Sequence, residues 1–485
     1  MSLFSFRFIC FFAIVFIFYY VISPKYQYIW LLAASWFFYG SWSKKCLLVL
    51  LLFTAITYWT AILMQKKNKD ICLWCGIICS IGLLCLFKFW KIWAEGLRYF
   101  LHIADANTGG IINILVPVGL SFFVLQVVGY LIDVYKGKAI AERNFAKYAL
   151  FVSFFPSILS GPIERSHNLL EQIRKGTHFS YETVKSGFCL IIWGCVMKLL
   201  IANRLAMIVD AAFTDYAEQT GATLLVAVIL YGIQLYADFA GYSCIAIGLS
   251  KTLGFHLIEN FKQPYFSRSI REFWGRWHIS LSSWLKDYVY IPLGGNRCSK
   301  VRGYINLLLT FLVSGFWHGT GWQYMAWGGL HGLYQIVSKM TYNIRSKLTA
   351  NSKIRTECFG YHLLQSVITF ILVDFAWLFF RASSLKEALS ILHSIVFNLQ
   401  IGDTIINKLY LVGYDTKRFW LLLVEIAILF AVDCVHEKKI SIIGWLNARN
   451  SVFRWGVYVF VCMTLIVGII HDFGLDASTF IYTQF

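Results

Sequence analysis

The chain has 485 residues, 58% of them hydrophobic and only 14% charged, well below the roughly 25% charged of soluble domains, which excludes a soluble globular protein. The net charge of +18, from 43 basic and 25 acidic residues, is not gathered into a continuous soluble patch, so we expect no nucleic-acid partner and read the cations as loops facing anionic membrane lipid. Apolar runs near the ~20 residues that cross a bilayer recur near 3–22, 28–42, 46–64, 71–90, 112–132, 183–203, 222–250, 303–318, 321–340, 362–380, 419–435 and 453–471. The first is too long for a signal peptide and is read as a retained span. A further segment at 145–163 holds Phe155-Pro156 and Ser160-Gly161-Pro162; such breakers at membrane depth predict a re-entrant piece enclosed by protein. The predicted fold is all-α, a polytopic integral membrane protein with about eleven to thirteen membrane-inserted helices. Residues 1–110 are expected to form N-terminal membrane helices, 111–400 a catalytic core, and 401–485 the C-terminal helices.

Charge orients the chain. The short basic loop Gln65 to Asp70, "QKKNKD", is predicted to be cytoplasmic, which puts the N-terminus outside. From Phe261 to Arg302 a second basic stretch interleaves Lys262, Arg268, Arg271, Arg276, Lys286, Arg297, Lys300 and Arg302 with aromatic residues. It is expected to lie as an amphipathic helix on the inner leaflet, and the same surface could hold the phosphates of a soluble donor.

Thirteen cysteines suggest no disulfide framework, because most lie inside apolar runs. "CLWC" at Cys72 to Cys75 has redox spacing but no second pair, so neither a metal nor a bound cofactor is expected. Most of the eleven histidines fall in loops or near span ends. Three differ: His278 in "RWHIS", His318 in "FWHGT" and His331 in "GLHG". An ionisable group at membrane depth is costly and reads as functional; the alternative for His318 and His331 is a buried ring satisfied by a carbonyl. The acids Asp238, Asp374 and Glu425, each within an apolar segment, are read as structural, with Arg381 two helical turns beyond Asp374 at a spacing that fits an ion-pair network. No phosphate-cradling loop and no G-x-S-x-G elbow occurs.

The motifs "REFWGRWHISLSSWLKDYVYIPLGGNR" and "LVSGFWHGTGWQYMAWGGLHG", with "VPVGLSFFVLQVVGYLIDVYKGK", "FFPSILSGPIER", "YADFAGYSCIAIGLS" and "FAWLFFRA", resemble the membrane-bound O-acyltransferase (MBOAT) family. Within it they resemble the bacterial branch of alginate O-acetyltransferases (AlgI type) and teichoic acid D-alanyl transferases (DltB type), more the former. The resemblance runs from about Val116 to Ala382. It implies helices around a central funnel, His318 as the catalytic histidine and His278 as the second polar position. It also implies substrate contacts from Arg276, Trp277, Asn296, Arg297, Trp317 and His331, with acyl-CoA (acetyl-CoA) as donor. An extracytoplasmic partner acyltransferase of SGNH type and a polysaccharide acceptor are further implications, as is a multi-pass place in the bacterial cell membrane. Independently of it, moving an acyl group from a thioester to an oxygen needs a base near neutral pH, which imidazole supplies.

The chain ends in "FIYTQF" directly after the last apolar run. The D-alanyl system uses a small separate protein with a similar aromatic tail, so Tyr482 is expected to be a tethered acyl carrier; an interfacial aromatic anchor is the alternative. Other readings left open are an acyltransferase for a lipid or protein, a D-alanyl transferase to teichoic acid, and a non-catalytic lipid or glycan exporter.

Overall fold

A computed structural model describes residues 1–66, 68–90, 93–94, 116–351, 355–400 and 416–471. Among them there is no β-strand, and helices stand at each of the twelve predicted apolar runs. The chain divides into two compact units, Met1–Ile191 with Ile245–Ile258, and Ile192–Cys244 with Glu259–Phe485.

The first unit holds α1 (Phe6–Val21), α2 (Gln27–Gly40), α3 (Lys44–Met64), α4 (Lys69–Lys88), α5 (Leu120–Tyr135) and α6 (Phe145–Ser153). Polar caps set where the apolar runs become helical: Ser5, Ser43 and Asn144 each accept from the backbone N–H three residues on, satisfying donors that a helix start leaves orphaned. α5 begins later than the predicted 112, at Leu120, behind Pro117 and a left-handed Gly119 (φ 75°); proline disfavours helical backbone in the residue before it. The broken segment 145–163, which opens with α6, is enclosed by protein: Tyr148, Leu150, Phe151 and Phe155 have no exposure. Its freed backbone groups find side chains, with Gln126 Nε2 donating to Phe151 O (2.5 Å) and Phe155 N to Ser35 Oγ (3.1 Å), as irregular backbone at membrane depth requires.

Two long helices, α7 (Tyr181–Thr214) and α8 (Gly221–Thr252), contribute to both units. In the second unit they are followed by α9 (Ile270–Arg276), α10 (Ile279–Leu285), α11 (Lys300–His318), α12 (Trp322–Met340), α13 (Tyr342–Asn351) and α14 (Phe359–Arg381). Then come α15 (Leu385–Phe397), α16 (Thr416–Glu437), α17 (Ile442–Asn447) and α18 (Ser451–His471). α7 contains a π-helical stretch at Val196–Ala202, and there Lys198 meets Asp238 of α8 at 2.7 Å with both side chains 2% exposed. Gly241 makes this approach possible, since a Cβ there would lie 2.9 Å from Gly194 O. Three acids anchor α16: Glu425 to Arg204 (2.5 Å), Asp433 to the Tyr236 hydroxyl (2.8 Å) and Glu437 to Arg276 (2.5 Å).

Among the described residues seven helices, α3, α4, α7, α8, α14, α16 and α18, are long and apolar enough to cross a membrane, in keeping with an all-α polytopic membrane protein, while two other expectations change. α1 and α5 have 16 residues each, about 24 Å at 1.5 Å per residue, and α11 and α12 carry inward polar residues that a run of hydropathy passes over. The stretch 261–302 is not one amphipathic helix. It breaks at His278 (φ 43°) into α9 and α10 and buries Phe273, Trp274, Trp277, Leu281 and Leu285. Finally, Arg381 pairs with Asp210 (2.6 Å) rather than with Asp374, whose Oδ1 instead sits 2.4 Å from where a Gly232 Cβ would be.

Candidate active site

α11 and α12 form a hairpin closed by glycine. A Cβ on Gly315 would fall 2.3 Å from Tyr324 O, and one on Gly328 2.4 Å from Phe311 O; small residues let helices approach at membrane depth. The close approach presses the last residue of α11, His318 (2% exposed), into a cage. Its ring centroid lies 4.7 Å from Trp317, 5.0 Å from Trp327 of α12 and 5.1 Å from Phe380 of α14, each near edge-to-face. Such packing fixes the ring.

The cage continues in both directions. Trp327 also touches His331 (5.2 Å), and Trp317 touches His278 (6.3 Å). The order His278, Trp317, His318, Trp327, His331 thus alternates imidazole and indole, bringing together four of the predicted site residues. The predicted Trp277 supports them from behind, 5.0 Å from Trp377, which stacks on Trp327 at 5.7 Å.

Hydrogen bonds fix opposite tautomers on the two outer imidazoles. Asn260 Oδ1 accepts from the Ser280 backbone N–H (3.2 Å) and hydroxyl (2.8 Å), so it is an acceptor towards His278 Nδ1 at 3.2 Å as well. His278 therefore carries its proton on Nδ1 and is basic at Nε2. His331 Nδ1 accepts from Trp274 Nε1 (3.2 Å), which leaves its proton on Nε2. Left-handed backbone at a residue other than glycine costs about 1–2 kcal/mol. Asn260 holds His278 there, its backbone O taking the Ile279 N–H (3.0 Å) and its Nδ2 donating to Ser243 (3.2 Å).

The remaining predicted residues stand apart. Arg276 is engaged by Glu437 and by Glu272 (2.6 Å), which push its pKa up and keep it charged. Asn296 and Arg297 lie on an exposed turn, where Asn296 Oδ1 accepts from the Tyr290 hydroxyl (2.6 Å). Tyr482 lies outside the described residues. Among the described residues no group of three or more His, Cys, Asp or Glu is placed to hold a metal.

Two features were missed in the sequence. One is Asn260. The other is a file of polar residues on the buried face of α11, Asn306, Thr310 and Ser314, each 0–7% exposed, at four-residue spacing and ending at His318. Asn306 Oδ1 and Ser314 Oγ have no hydrogen-bond partner among the described residues. The i, i+4 spacing was visible, but one polar residue per turn inside an apolar run passes for a span.

Residues 138–380 match the MBOAT, membrane-bound O-acyltransferase family. The chain is 36% identical over 375 residues to a probable alginate O-acetylase AlgI of Pseudomonas syringae pv. tomato, covering 76% of this chain and 70% of that protein. It is 29% identical to a peptidoglycan O-acetyltransferase of Helicobacter pylori over 96% and 93% of the two chains. To a teichoic acid D-alanyltransferase of Bacillus subtilis it is 28% identical over 65% and 79%. The chain belongs to the membrane-bound O-acyltransferase family: it is an O-acyltransferase, a multi-pass protein of the bacterial cell membrane.

Proposed function

We propose that this enzyme moves an acetyl group from cytoplasmic acetyl-CoA across the membrane for O-acetylation of an extracytoplasmic polysaccharide. The observation that carries the reading is His318, caged by Trp317, Trp327 and Phe380, where an imidazole can take a proton away from bulk water. The names of the similar proteins, alginate O-acetylase and peptidoglycan O-acetyltransferase, support a glycan acceptor.

In the proposed reaction His318 takes the proton of the attacking hydroxyl as its oxygen bonds to the thioester carbonyl. The C–S bond then breaks, and coenzyme A leaves as the thiol with that proton. His278, basic at Nε2, orients the donor or the base. The first acceptor is the phenol of Tyr482. With a phenol pKa of ~10, its ester keeps much of the thioester's transfer potential. A glycan hydroxyl, brought by an extracytoplasmic SGNH-type partner, then attacks the aryl ester and restores the phenol.

Intact mass of the purified full-length protein after incubation with labelled acetyl-CoA tests this. One acetyl group is expected on wild type and none on Tyr482→Phe or His318→Ala. Undiminished glycan acetylation in cells by Tyr482→Phe would overturn the relay and leave His318 serving an acceptor directly.

A further inference from the structure

The end of the α11–α12 hairpin remote from His318 carries a cleft of about 1080 Å³ between α9, α12, α13 and α14. Its wall holds Arg268, Arg271, Lys339 and Arg345 against one acid, Glu357. None of these four side-chain cations has a carboxylate within 4 Å among the described residues, although Glu272 accepts from the Arg268 backbone N–H (2.8 Å) and Arg276, a few residues away, has two carboxylate partners. Their side-chain contacts are instead with imidazole, backbone carbonyl, hydroxyl and amide groups. Arg268 Nη1 lies 3.2 Å from His362 Nε2, Arg345 Nη2 donates to Ser338 O (2.9 Å) and Oγ (3.1 Å), and Lys339 Nζ approaches Asn296 Oδ1 at 3.4 Å. Arg271 stands close enough to Lys339 for the two charges to repel. All four are exposed side chains, and like charges gathered along one concave wall focus a positive potential and recruit anions.

We propose that this cleft is a binding site for a phosphate-bearing headgroup, held through two or more phosphates at once. Forked guanidiniums suit phosphate oxygens bidentately, and the cleft is of the size that small-molecule ligands fill. The nucleotide end of the acyl donor is the source that the distances favour, a refinement that rests on the acetyl-CoA reading above. α12 serves as a ruler: its Trp327 packs on His318 and its Lys339 lines the cleft, about 18 Å apart at 1.5 Å per residue. The arm between the pyrophosphate and the sulfur of coenzyme A has about thirteen bonds and extends to roughly 15 Å, at the reach per bond of an extended chain. Phosphates in the cleft would thus leave the thioester at the level of the caged imidazole. An anionic phospholipid headgroup offers the same chemistry from the bilayer.

The test uses the full-length protein in nanodiscs of zwitterionic lipid, with Arg271→Gln, Arg345→Gln and their double variant. Arg345→Lys keeps the charge and guards against misfolding. Lys175→Gln, an exposed cation outside both the cleft and the 261–302 stretch, is the control. Coenzyme A affinity should fall roughly tenfold for each Gln variant and roughly a hundredfold for the pair, as loss of hydrogen bonds to a charged group implies. Arg345→Lys should retain most of it, and Lys175→Gln all of it. 3′-Dephospho-coenzyme A should bind wild type more weakly than coenzyme A, and that difference should shrink in a Gln variant. In a second arm, phosphatidylglycerol is added to the nanodisc and its thermal stabilisation of each variant is read. Unchanged coenzyme A affinity with lost phosphatidylglycerol stabilisation assigns the site to lipid and leaves the donor reading standing. Failure of wild type to bind or turn over acetyl-CoA would sink the donor reading, while the lipid arm still decides the cleft. A double variant that keeps wild-type responses to both probes overturns the proposal.

Discussion

Gly328→Ala tests whether closure of the α11–α12 hairpin is what builds the cage. The added Cβ would lie 2.4 Å from Phe311 O and 3.3 Å from Gly315 Cα, whereas contacts under 3.0 Å are essentially never seen. Both obstacles are backbone, so the helices must separate by about 1 Å at this level to restore ordinary contact. Trp327, the neighbouring residue, is then drawn off the His318 ring from its 5.0 Å contact. Overpacking costs about 1–3 kcal/mol, and the better helix propensity of alanine returns ~1 kcal/mol, leaving a net loss of up to about 2 kcal/mol. Misplacing a catalytic group by about 1 Å can cost ~100-fold in turnover, so kcat should fall by one to two orders of magnitude. Gly329→Ala is the matched control, because its Cβ would meet only Leu312 Cδ2 at 3.9 Å; it should stabilise by about 0.5–1 kcal/mol and keep wild-type turnover. The assays are detergent-solubilised melting and acetyl transfer from labelled acetyl-CoA. Wild-type turnover in Gly328→Ala, or an equal fall in Gly329→Ala, would refute the reasoning.

Asn260→Leu removes the acceptor that fixes the His278 tautomer and should lower kcat by at least tenfold with little change in KM; Asn260→Asp keeps the acceptor and should lose less. Equal activity in the two variants would show that the tautomer does not matter. Lys198→Met strands the Asp238 carboxylate in the interior and should cost about 3–5 kcal/mol. The double variant Lys198→Met/Asp238→Leu should regain most of that in the same melting assay. Ser314→Ala and Asn306→Leu each remove an orphaned buried atom and should raise stability by about 1 kcal/mol. If the polar file serves the substrate, they lower acyl transfer at the same time; higher melting with undiminished transfer would assign it no role.

The helices were legible because lipid leaves a spanning segment one solution, a continuous apolar run with its backbone bonded internally. Glycines around His318 were visible as letters, and their purpose emerges only when Gly328 is seen against Phe311. The break at His278 was hidden: "RWHIS" has no proline or glycine at the break, and Asn260, eighteen residues upstream, imposes the left-handed backbone. Arg276 looked free to bind phosphate because its partner Glu437 lies 161 residues away. Arg381 looked paired with Asp374 because a helix repeats after seven residues, but Asp210 of α7 reaches it instead. Local period is written in the chain; which charge meets which is decided by packing.

The most direct test of the central claim is release of coenzyme A thiol by the full-length protein in nanodiscs, supplied with acetyl-CoA and compared with His318→Ala. Wild type is expected to release one thiol per enzyme molecule as Tyr482 is loaded, and His318→Ala only background, with melting close to wild type. Release by His318→Ala at the wild-type rate would contradict the claim.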